Sequence, residues 1–203
     1  MPVRARHRDV RADILDAADS LLARYGYQKM TVDDVAREAR VAKGTLYAYF
    51  PNKEAIALGT IDRMIDLLVA ELRQIAHSGG EPAERIERML VFRILFLFDL
   101  VQEKVHTLDD TYAALRPQYK IHRDRYVQSE TEVFAEVLAD GQSTGTFCVD
   151  DPLEVGRAFI LATSTLTPFS LSVRELGERA AIERQIRRIA SLLIRGILRH
   201  DPA

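Results

Sequence analysis

The chain has 203 residues, of which 47% are hydrophobic and 29% are charged, and its formal net charge is -2. This length allows one domain with a substantial core, or a small domain joined to a larger one. The single cysteine, Cys148, excludes an internal disulfide and fits a reducing compartment. The longest apolar run, residues 89–98, is too short to cross a bilayer, and the N-terminus has no signal-peptide pattern. We therefore expect a cytoplasmic protein with no membrane partner.

Apolar residues near the N-terminus recur at three- and four-residue steps, which is typical of helices packed on one face. Gly26 is a suitable end for the first of these helices, and Pro51 for the last. Thr31 and Asp34 form a capping box that starts the helix between them. The pattern predicts three helices, over about residues 9–25, 32–39 and 43–50.

The rest of the chain also has helical periodicity, and strand-like alternation is nearly absent. The segment Ser78–Pro82 is a linker, and Asp140–Asp151 is a loop that ends in an N-cap followed by proline. Pro117 is expected to separate two helices. The later helices are predicted over about residues 52–77, 83–103, 107–117, 118–139, 152–171 and 180–199. We therefore expect an all-α protein of about nine helices.

The second and third helices have the dimensions of a helix-turn-helix, with residues 40–42 as the turn. If Leu46 and Phe50 face inward, then Gly44 and Ala48 point outward, because successive helix residues are rotated by about 100°. The outer edge then carries the least side chain, so the helix backbone can approach a DNA groove closely. Donors to phosphates or bases flank this edge at Lys43, Thr45 and Tyr47.

The run GYQKMTVDDVAREARVAKGTLYAYFPNKEAI, Gly26 to Ile56, resembles the N-terminal signature of the TetR family of transcriptional regulators. The resemblance covers about the first quarter of the chain, and the rest fits the family in length and helical character. The matching positions are Gly26, Thr31, Val35, Ala36, Ala39, Val41, Gly44, Thr45, Leu46, Tyr47, Phe50, Lys53 and Glu54.

The resemblance implies a DNA-binding domain over residues 1–52 and a ligand-binding and dimerisation domain over residues 53–203. It also implies that the third helix reads the major groove. Residues that match Thr31, Tyr47 and Lys53 commonly hold phosphates in this family, which places Lys43, Gly44, Thr45 and Tyr49 at or near the groove. This chain departs from the family at Arg40, where members often have glycine, and at Ala42, which cannot cap the third helix as serine does.

Several arginines precede the first helix, among them Arg4 and Arg6. A flexible arginine arm of this kind can enter a neighbouring minor groove or hold the DNA backbone. The alternative is an arm that only keeps the chain in solution. Both interpretations remain open from the sequence, and Arg4 and Arg6 are kept as candidate DNA contacts.

The last helix has more apolar surface than one core contact requires. Its main stripe consists of Ile182, Ile186, Ile189, Leu193 and Ile197, and the stripe is broadened by Leu192, Ile194 and Leu198. Two helices per subunit that meet across a twofold axis would bury this surface as a four-helix interface. The family resemblance implies the same homodimer through the last two long helices. A monomer that uses this helix as ordinary core is the alternative.

Arg93 and Asp99 are polar exceptions in an apolar helix, so each needs a counter-charge, a ligand or an exit to solvent. Aromatic and polar residues elsewhere can also line a cavity, although aromatics at helical spacing are ordinarily core. The further candidates are Phe92, Phe96, Tyr112, Tyr119, His122, Tyr126, Phe159 and Thr163. The family resemblance implies a small organic effector that binds in this part of the chain and releases DNA.

The sequence therefore indicates a TetR-type regulator, by resemblance a repressor, that binds a palindromic DNA operator as a dimer. We find no motif for catalytic residues, a metal site or a cofactor. One alternative is a helical-bundle module that binds a ligand or a protein without regulating DNA. The other is an enzyme whose catalytic residues are scattered along the chain.

Overall fold

The structure is a computed structural model that describes residues 9–102, 105–167 and 177–199. In these residues the regular elements are helical, apart from one isolated β-bridge, so the all-α prediction is confirmed. The eight α-helices of the described residues are α1 (Val10–Lys29), α2 (Val32–Glu38), α3 (Lys43–Tyr49), α4 (Lys53–Ala76), α5 (Pro82–Gln102), α6 (Val105–Ser143), α7 (Pro152–Thr163) and α8 (Arg179–Arg195).

The chain around Gly26 leaves the helical conformation at the predicted position. Gly26 has φ 75° and ψ 168°, a backbone conformation that side chains with a Cβ rarely adopt. The chain then returns to helix as far as Lys29, and the Met30 N–H donates to the Gly26 carbonyl at 3.2 Å. The glycine therefore interrupts α1 and sets the direction in which the chain enters α2.

The predicted helix boundary at Pro117 is wrong, because α6 continues through this residue from Val105 to Ser143. Proline removes one backbone hydrogen bond inside a helix, and tertiary context can override such a local preference. The two helices expected over residues 107–117 and 118–139 are therefore one element. This accounts for the difference between about nine predicted helices and eight in the described residues.

Two other helices end earlier than predicted. α7 stops at Thr163 instead of continuing to residue 171, and the extended Thr167 fits the bias that a following proline imposes. α8 ends at Arg195 instead of residue 199, because the chain beyond it pairs with the loop that follows α6. The Cys148 N–H donates to the Ile197 carbonyl at 2.7 Å, within the bridge that Phe147 forms with Leu198.

The chain divides into two compact units. The first comprises the described residues of Met1–Arg63 and His106–Tyr119, and the second comprises those of Met64–Val105 and Lys120–Ala203. In the second unit α5 packs along α8. The functional boundary at residues 52 and 53 stays a prediction.

Membrane spans and metal sites are both absent from the described ranges. None of the helices there is both long and apolar enough to span a membrane. Over the same ranges, no three His, Cys, Asp or Glu residues are grouped in a way that could hold a metal ion.

Candidate nucleic-acid interface

The turn between α2 and α3 is built around a left-handed arginine. Arg40 has φ 55°, which costs a residue with a Cβ about 1 kcal/mol or more. The turn is closed by the Val41 N–H, which donates to the Ala36 carbonyl at 3.0 Å. Members of the TetR family often have glycine at this position, which adopts this conformation without strain. The side chain of Arg40 is exposed, so the strained backbone presents a cation to solvent.

The inner face of α3 anchors the helix in the first unit. Leu46 is fully buried and Phe50 is nearly so, which confirms the inward orientation expected for both. A Cβ added to Gly59 would lie 2.8 Å from Phe50 Cε1 and 2.9 Å from Leu15 Cδ2. Glycine in α4 therefore allows Phe50 to pack directly on the α4 backbone and fixes the position of α3.

The outer face of α3 has little side chain and no protein cover. Gly44, Thr45 and Ala48 are exposed, and a Cβ added to Gly44 would have no other atom within 4 Å apart from its helix neighbours. Tyr47 and Tyr49 flank this face and are 45% and 48% exposed. The predicted outward orientation of Gly44 and Ala48 is confirmed. The outer face of α3 therefore has small side chains at its centre and a tyrosine on each side.

Lys43, at the start of α3, forms an ion pair with α2. Its Nζ lies 2.7 Å from Asp33 Oδ1, and this hydrogen bond and charge raise the pKa of Lys43. The two side chains are 55% and 66% exposed, so solvent screens the pair strongly. Asp33 was not a sequence candidate, because nothing in the spacing of the two residues indicates the contact.

Thr31 caps α2 as predicted. Its hydroxyl accepts a hydrogen bond from the Asp34 N–H at 3.1 Å and donates to Asp34 Oδ2 at 2.6 Å. The bond from Thr31 and a further contact with Arg37 lower the pKa of the Asp34 carboxyl. Thr31 is exposed, so the residue that starts the helix is also open to a ligand.

Lys53 is held at the start of α4. Its Nζ donates to the Gln28 carbonyl at 3.2 Å and lies 4.3 Å from the centroid of the Tyr27 ring. Burial lowers the pKa of Lys53. Asn52 caps α4, since its Oδ1 accepts from the Ala55 N–H at 2.7 Å. Tyr27 is a second residue that the sequence did not single out, because its contact with Lys53 joins distant parts of the chain.

Two of the candidate DNA contacts, Arg4 and Arg6, lie outside the described residues. Arg11, which follows them in the chain, stands in the first turn of α1. Its guanidinium lies over the Phe50 ring at 5.7 Å from the centroid, a cation–π distance. Arg11 therefore contacts the residue that anchors the inner face of α3.

The second unit contains a cavity of about 620 Å³ between α5, α8 and the end of α4, which we call the α5–α8 cavity. Three sequence candidates line it: Phe92, Phe96 and Asp99. The two phenylalanine rings are 5.5 Å apart between centroids. Asp99 accepts two hydrogen bonds from Arg179, at 2.7 and 2.9 Å. The polar exception at Asp99 is therefore satisfied by a protein cation.

Arg93, the other polar exception of α5, points away from this cavity into the core. Its side chain and that of Glu130 are each 4% exposed, and the Arg93 Nε donates to the Glu130 carboxylate. Arg93 Nη1 also donates to Thr163 Oγ1 at 3.2 Å. Thr163 is fully buried and Phe159 is nearly so. Arg93, Glu130 and Thr163 thus form a polar group inside the core. The candidates Arg93, Phe159 and Thr163 do not line the α5–α8 cavity.

The remaining candidates are on α6. Tyr126 is buried, and its ring centroid lies 6.3 Å from that of the half-buried His122. Neither residue lines the α5–α8 cavity. Tyr112 and Tyr119 lie in the part of α6 whose side chains are outside the described set. Ligand contact by these four residues stays a prediction.

Comparison with known proteins gives matches in both parts of the chain. Residues 14–59 match the family of bacterial regulatory proteins named tetR, and residues 82–189 match the tetracyclin repressor-like C-terminal domain. The HTH-type transcriptional repressor KstR2 of Mycobacterium tuberculosis is 26% identical over 155 residues, which are 76% of this chain and 77% of that protein.

A second relative and a solved structure agree with these matches. The HTH-type transcriptional repressor KstR of Mycolicibacterium smegmatis is 35% identical over 83 residues, 41% of each chain. The crystal structure of a transcriptional regulator from Cytophaga hutchinsonii is similar with a TM-score of 0.72 and 20% identity, covering 92% of this chain and 97% of that one. At this identity the structural likeness supports the fold alone.

Proposed function

The chain belongs to the TetR family of transcriptional regulators, and we propose that it represses transcription by binding a palindromic operator as a homodimer. The relatives KstR2 and KstR carry the name of transcriptional repressor, which supports the direction of regulation. A protein that binds an operator acts in the bacterial cytoplasm, so we propose this location. We also propose that the protein acts as a regulator and not as an enzyme.

The bare outer face of α3 is the observation that carries this proposal. Glycine inside a helix costs about 1 kcal/mol relative to alanine, yet Gly44 has open space where a Cβ would be. The Gly44 position therefore gains nothing from protein packing. A helix that must lie deep in a major groove does gain, because its backbone can come closer to the base edges. Ala48, also exposed, extends the same low edge.

The exposed donors around this face have separate roles in the proposal. Thr45 and Lys43 lie beside the low edge and contact base edges, so they determine sequence preference. Tyr47 and Tyr49 stand at its sides and contact the backbone or the groove wall. Thr31 and Lys53, at the starts of α2 and α4, hold phosphates and fix the orientation of the domain.

Dimerisation through α7 and α8 supplies the second copy of α3 that a palindrome requires. Ile182, Ile186 and Ile194 of the predicted stripe are buried, whereas Leu192 is 70% exposed. On α7, Leu161 is 40% exposed and lies next to an exposed alanine, residue 162. The exposed Leu161 and Leu192 support a helical interface between two copies. In a dimer of this kind the two half-sites are separated by about 34 Å or a multiple of it.

A small organic effector completes the proposal, and α4 is the element through which it acts. The helix runs from Lys53 to Ala76 and contributes residues to both compact units. An effector that binds one position of α4 better than another shifts the spacing of the two α3 helices and so the operator affinity.

The test begins with selection of bound fragments from random duplex DNA. The recovered site is then titrated by fluorescence anisotropy at several salt concentrations, and the mass of the free protein is measured by light scattering. We expect a palindromic site, a dimer, and an affinity that falls steeply with salt because phosphate contacts release counterions. Recovery of no common site, with correctly folded protein, would contradict the proposal.

Variants then separate the assigned roles. Replacing Tyr47 by Phe or Lys53 by Gln should weaken all duplexes by a similar factor, whereas Thr45→Ala should change the preferred sequence. Leu192→Glu should shift the protein towards monomer without unfolding it. The matched control is Leu67→Glu, a 56% exposed leucine on α4, which should leave the mass unchanged.

A further inference from the structure

From the charges that line the α5–α8 cavity, we infer that it binds a small amphipathic anion, with Arg88 as the residue that holds the anionic group. This inference rests on the proposed function, since it names the chemical class of the effector. It requires an apolar surface for the body of the ligand and, at the mouth, a cation without an ion-pair partner among the described residues. The cavity has both.

The apolar surface is a continuous strip of α5. Val91, Phe92, Leu95 and Phe96 all line the cavity, and they fall at steps of one, three and one, so they share a face of the helix. Phe92 and Phe96 are half-buried, and their ring centroids are 5.5 Å apart. A volume of about 620 Å³ is within the range of cavities that hold small organic molecules.

Two of the three cations at the cavity are already paired. Arg179 makes its two hydrogen bonds with Asp99, and Arg187 Nη2 donates to Glu183 at 2.9 Å. Arg187 also reaches Glu87 at 3.2 Å. The carboxylates of Asp99 and Glu183, which both line the cavity, are therefore already engaged and do not offer a site to a cationic ligand.

Arg88 differs from these two arginines. Its Nη2 donates to Ser78 Oγ at 3.0 Å and to the Gly79 carbonyl at 2.9 Å, and both acceptors are neutral. Within the described residues no carboxylate oxygen lies within 4.0 Å of its guanidinium. The linker that follows α4 thus holds one end of the guanidinium through neutral acceptors, and Glu84 Oε2, which like Arg88 Nη2 lies next to Gly80, is not in an ion pair with it. An anionic group that meets it forms a charge-assisted hydrogen bond.

The position of Arg88 gives the ligand an orientation. Arg88 is exposed and comes one turn before Phe92 on α5, so the anionic group stays hydrated at the mouth while the apolar body lies along the strip. This arrangement avoids burying an unpaired charge, which is costly. A neutral ligand would gain only the strip, and a cation would meet Arg88 and two lining carboxylates that are already paired with arginines.

The experiment measures binding of three probes to the dimeric protein by calorimetry, below the concentration at which any probe forms micelles. Decanoate has both the anionic group and the apolar body, 1-decanol has the body alone, and acetate has the anion alone. We expect decanoate to bind about tenfold or more tightly than 1-decanol, and acetate not to bind measurably. That factor is the contribution of one hydrogen bond to a charged group.

Variants identify the residue. Arg88→Gln should reduce decanoate affinity to that of 1-decanol, and Arg88→Lys should retain part of the difference. The matched control is Arg73→Gln, which removes an exposed arginine of α4 that does not line the cavity and should leave the affinity unchanged. If Arg88→Gln does not fold, the comparison of decanoate with 1-decanol on the unchanged protein and on Arg88→Lys still decides.

Equal affinity for decanoate and 1-decanol would overturn the inference, and so would unchanged decanoate binding by Arg88→Gln. Operator binding without any probe is measured in parallel on the same variants. If Arg88→Gln binds the operator normally and decanoate does not bind, the inference on ligand class fails while the proposed regulator stands. If decanoate binds and no operator is found, the inference on ligand class stands and the proposed regulator fails.

Discussion

The outer face of α3 and helix α5 of the second unit both contain residues that are unusual for their positions, but the two sets have different explanations. On α3 the exceptional residues are small, and Gly44 and Ala48 lie exposed without protein cover. On α5 the exceptional residues are charged, and Arg93 and Asp99 both end in ion pairs with protein groups. Residues whose unusual type brings no advantage within the protein indicate an external partner. Residues whose charge is paired within the protein are explained by the fold.

The largest effect is expected where the core ion pair is broken. Glu130→Gln leaves Arg93 buried without its counter-charge and should lower the free energy of unfolding by about 3–5 kcal/mol, measured by urea denaturation. The double variant Arg93→Met with Glu130→Leu should recover most of this loss, because it removes both charges. A small effect of Glu130→Gln alone would show that the pair is not needed to keep the core neutral.

On the outer face of α3, added bulk should impair DNA binding without affecting the fold. Ala48→Leu should reduce operator affinity by about tenfold or more, since each tenfold corresponds to about 1.4 kcal/mol of lost contact. Thermal unfolding should be nearly unchanged, because alanine and leucine both favour helices. Ala70→Leu, at an exposed position of α4, is the control and should change neither quantity. If Ala48→Leu binds the operator with normal affinity, α3 does not lie in the groove as proposed.

Adding a single methyl group at Gly44 should change protein stability and operator affinity in opposite directions. Gly44→Ala should raise the free energy of unfolding by about 0.5–1 kcal/mol, because alanine is the better helix former and the space is open. Operator affinity should fall severalfold, as measured by anisotropy. Gly59→Ala provides the contrast, since its Cβ would collide with Phe50 and Leu15 and should destabilise the fold. A loss of stability in Gly44→Ala would contradict the view that the space around Gly44 is open.

The smallest effect concerns the cap of α2 and its dependence on pH. The pKa of Asp34 is lowered in the folded protein, so its carboxylate stabilises the fold above the unfolded value of 3.8. This contribution is lost as the pH falls through the lower folded pKa. The difference in melting temperature between the unchanged protein and Asp34→Asn should therefore be present near neutral pH and vanish in strong acid. A difference that does not vary with pH would show that charge is not involved.

Short-range patterns predicted much of the first unit. The cap at Thr31 and the inward side chains of Leu46 and Phe50 depend on residues a few positions apart. The signals for these features lie within one or two helical turns. For this reason the spacing of residues along the chain predicts the cap of α2 and which faces of α3 point inward and outward.

Contacts between distant residues could not be predicted in the same way. The partner of Arg93 is Glu130, that of Asp99 is Arg179, and that of Lys43 is Asp33 on a different helix. Each pairing depends on how helices pack, and periodicity along one helix does not identify the facing residue. The continuous α6 was not predicted either, because Pro117 is a local helix breaker and yet the helix continues through it.

The amino-acid sequence by itself determined an all-helical chain, the limits of the short helices, and an α3 with its bulk removed on one side, since these follow from spacing and propensity within a few residues. Only the tertiary structure decided which charges neutralise one another and that Arg88 has only neutral acceptors among the described residues. The physical reason is that the energy of a charge depends on what surrounds it in space, and the acceptors of Arg88 come from the linker, nine and ten residues before it in the chain.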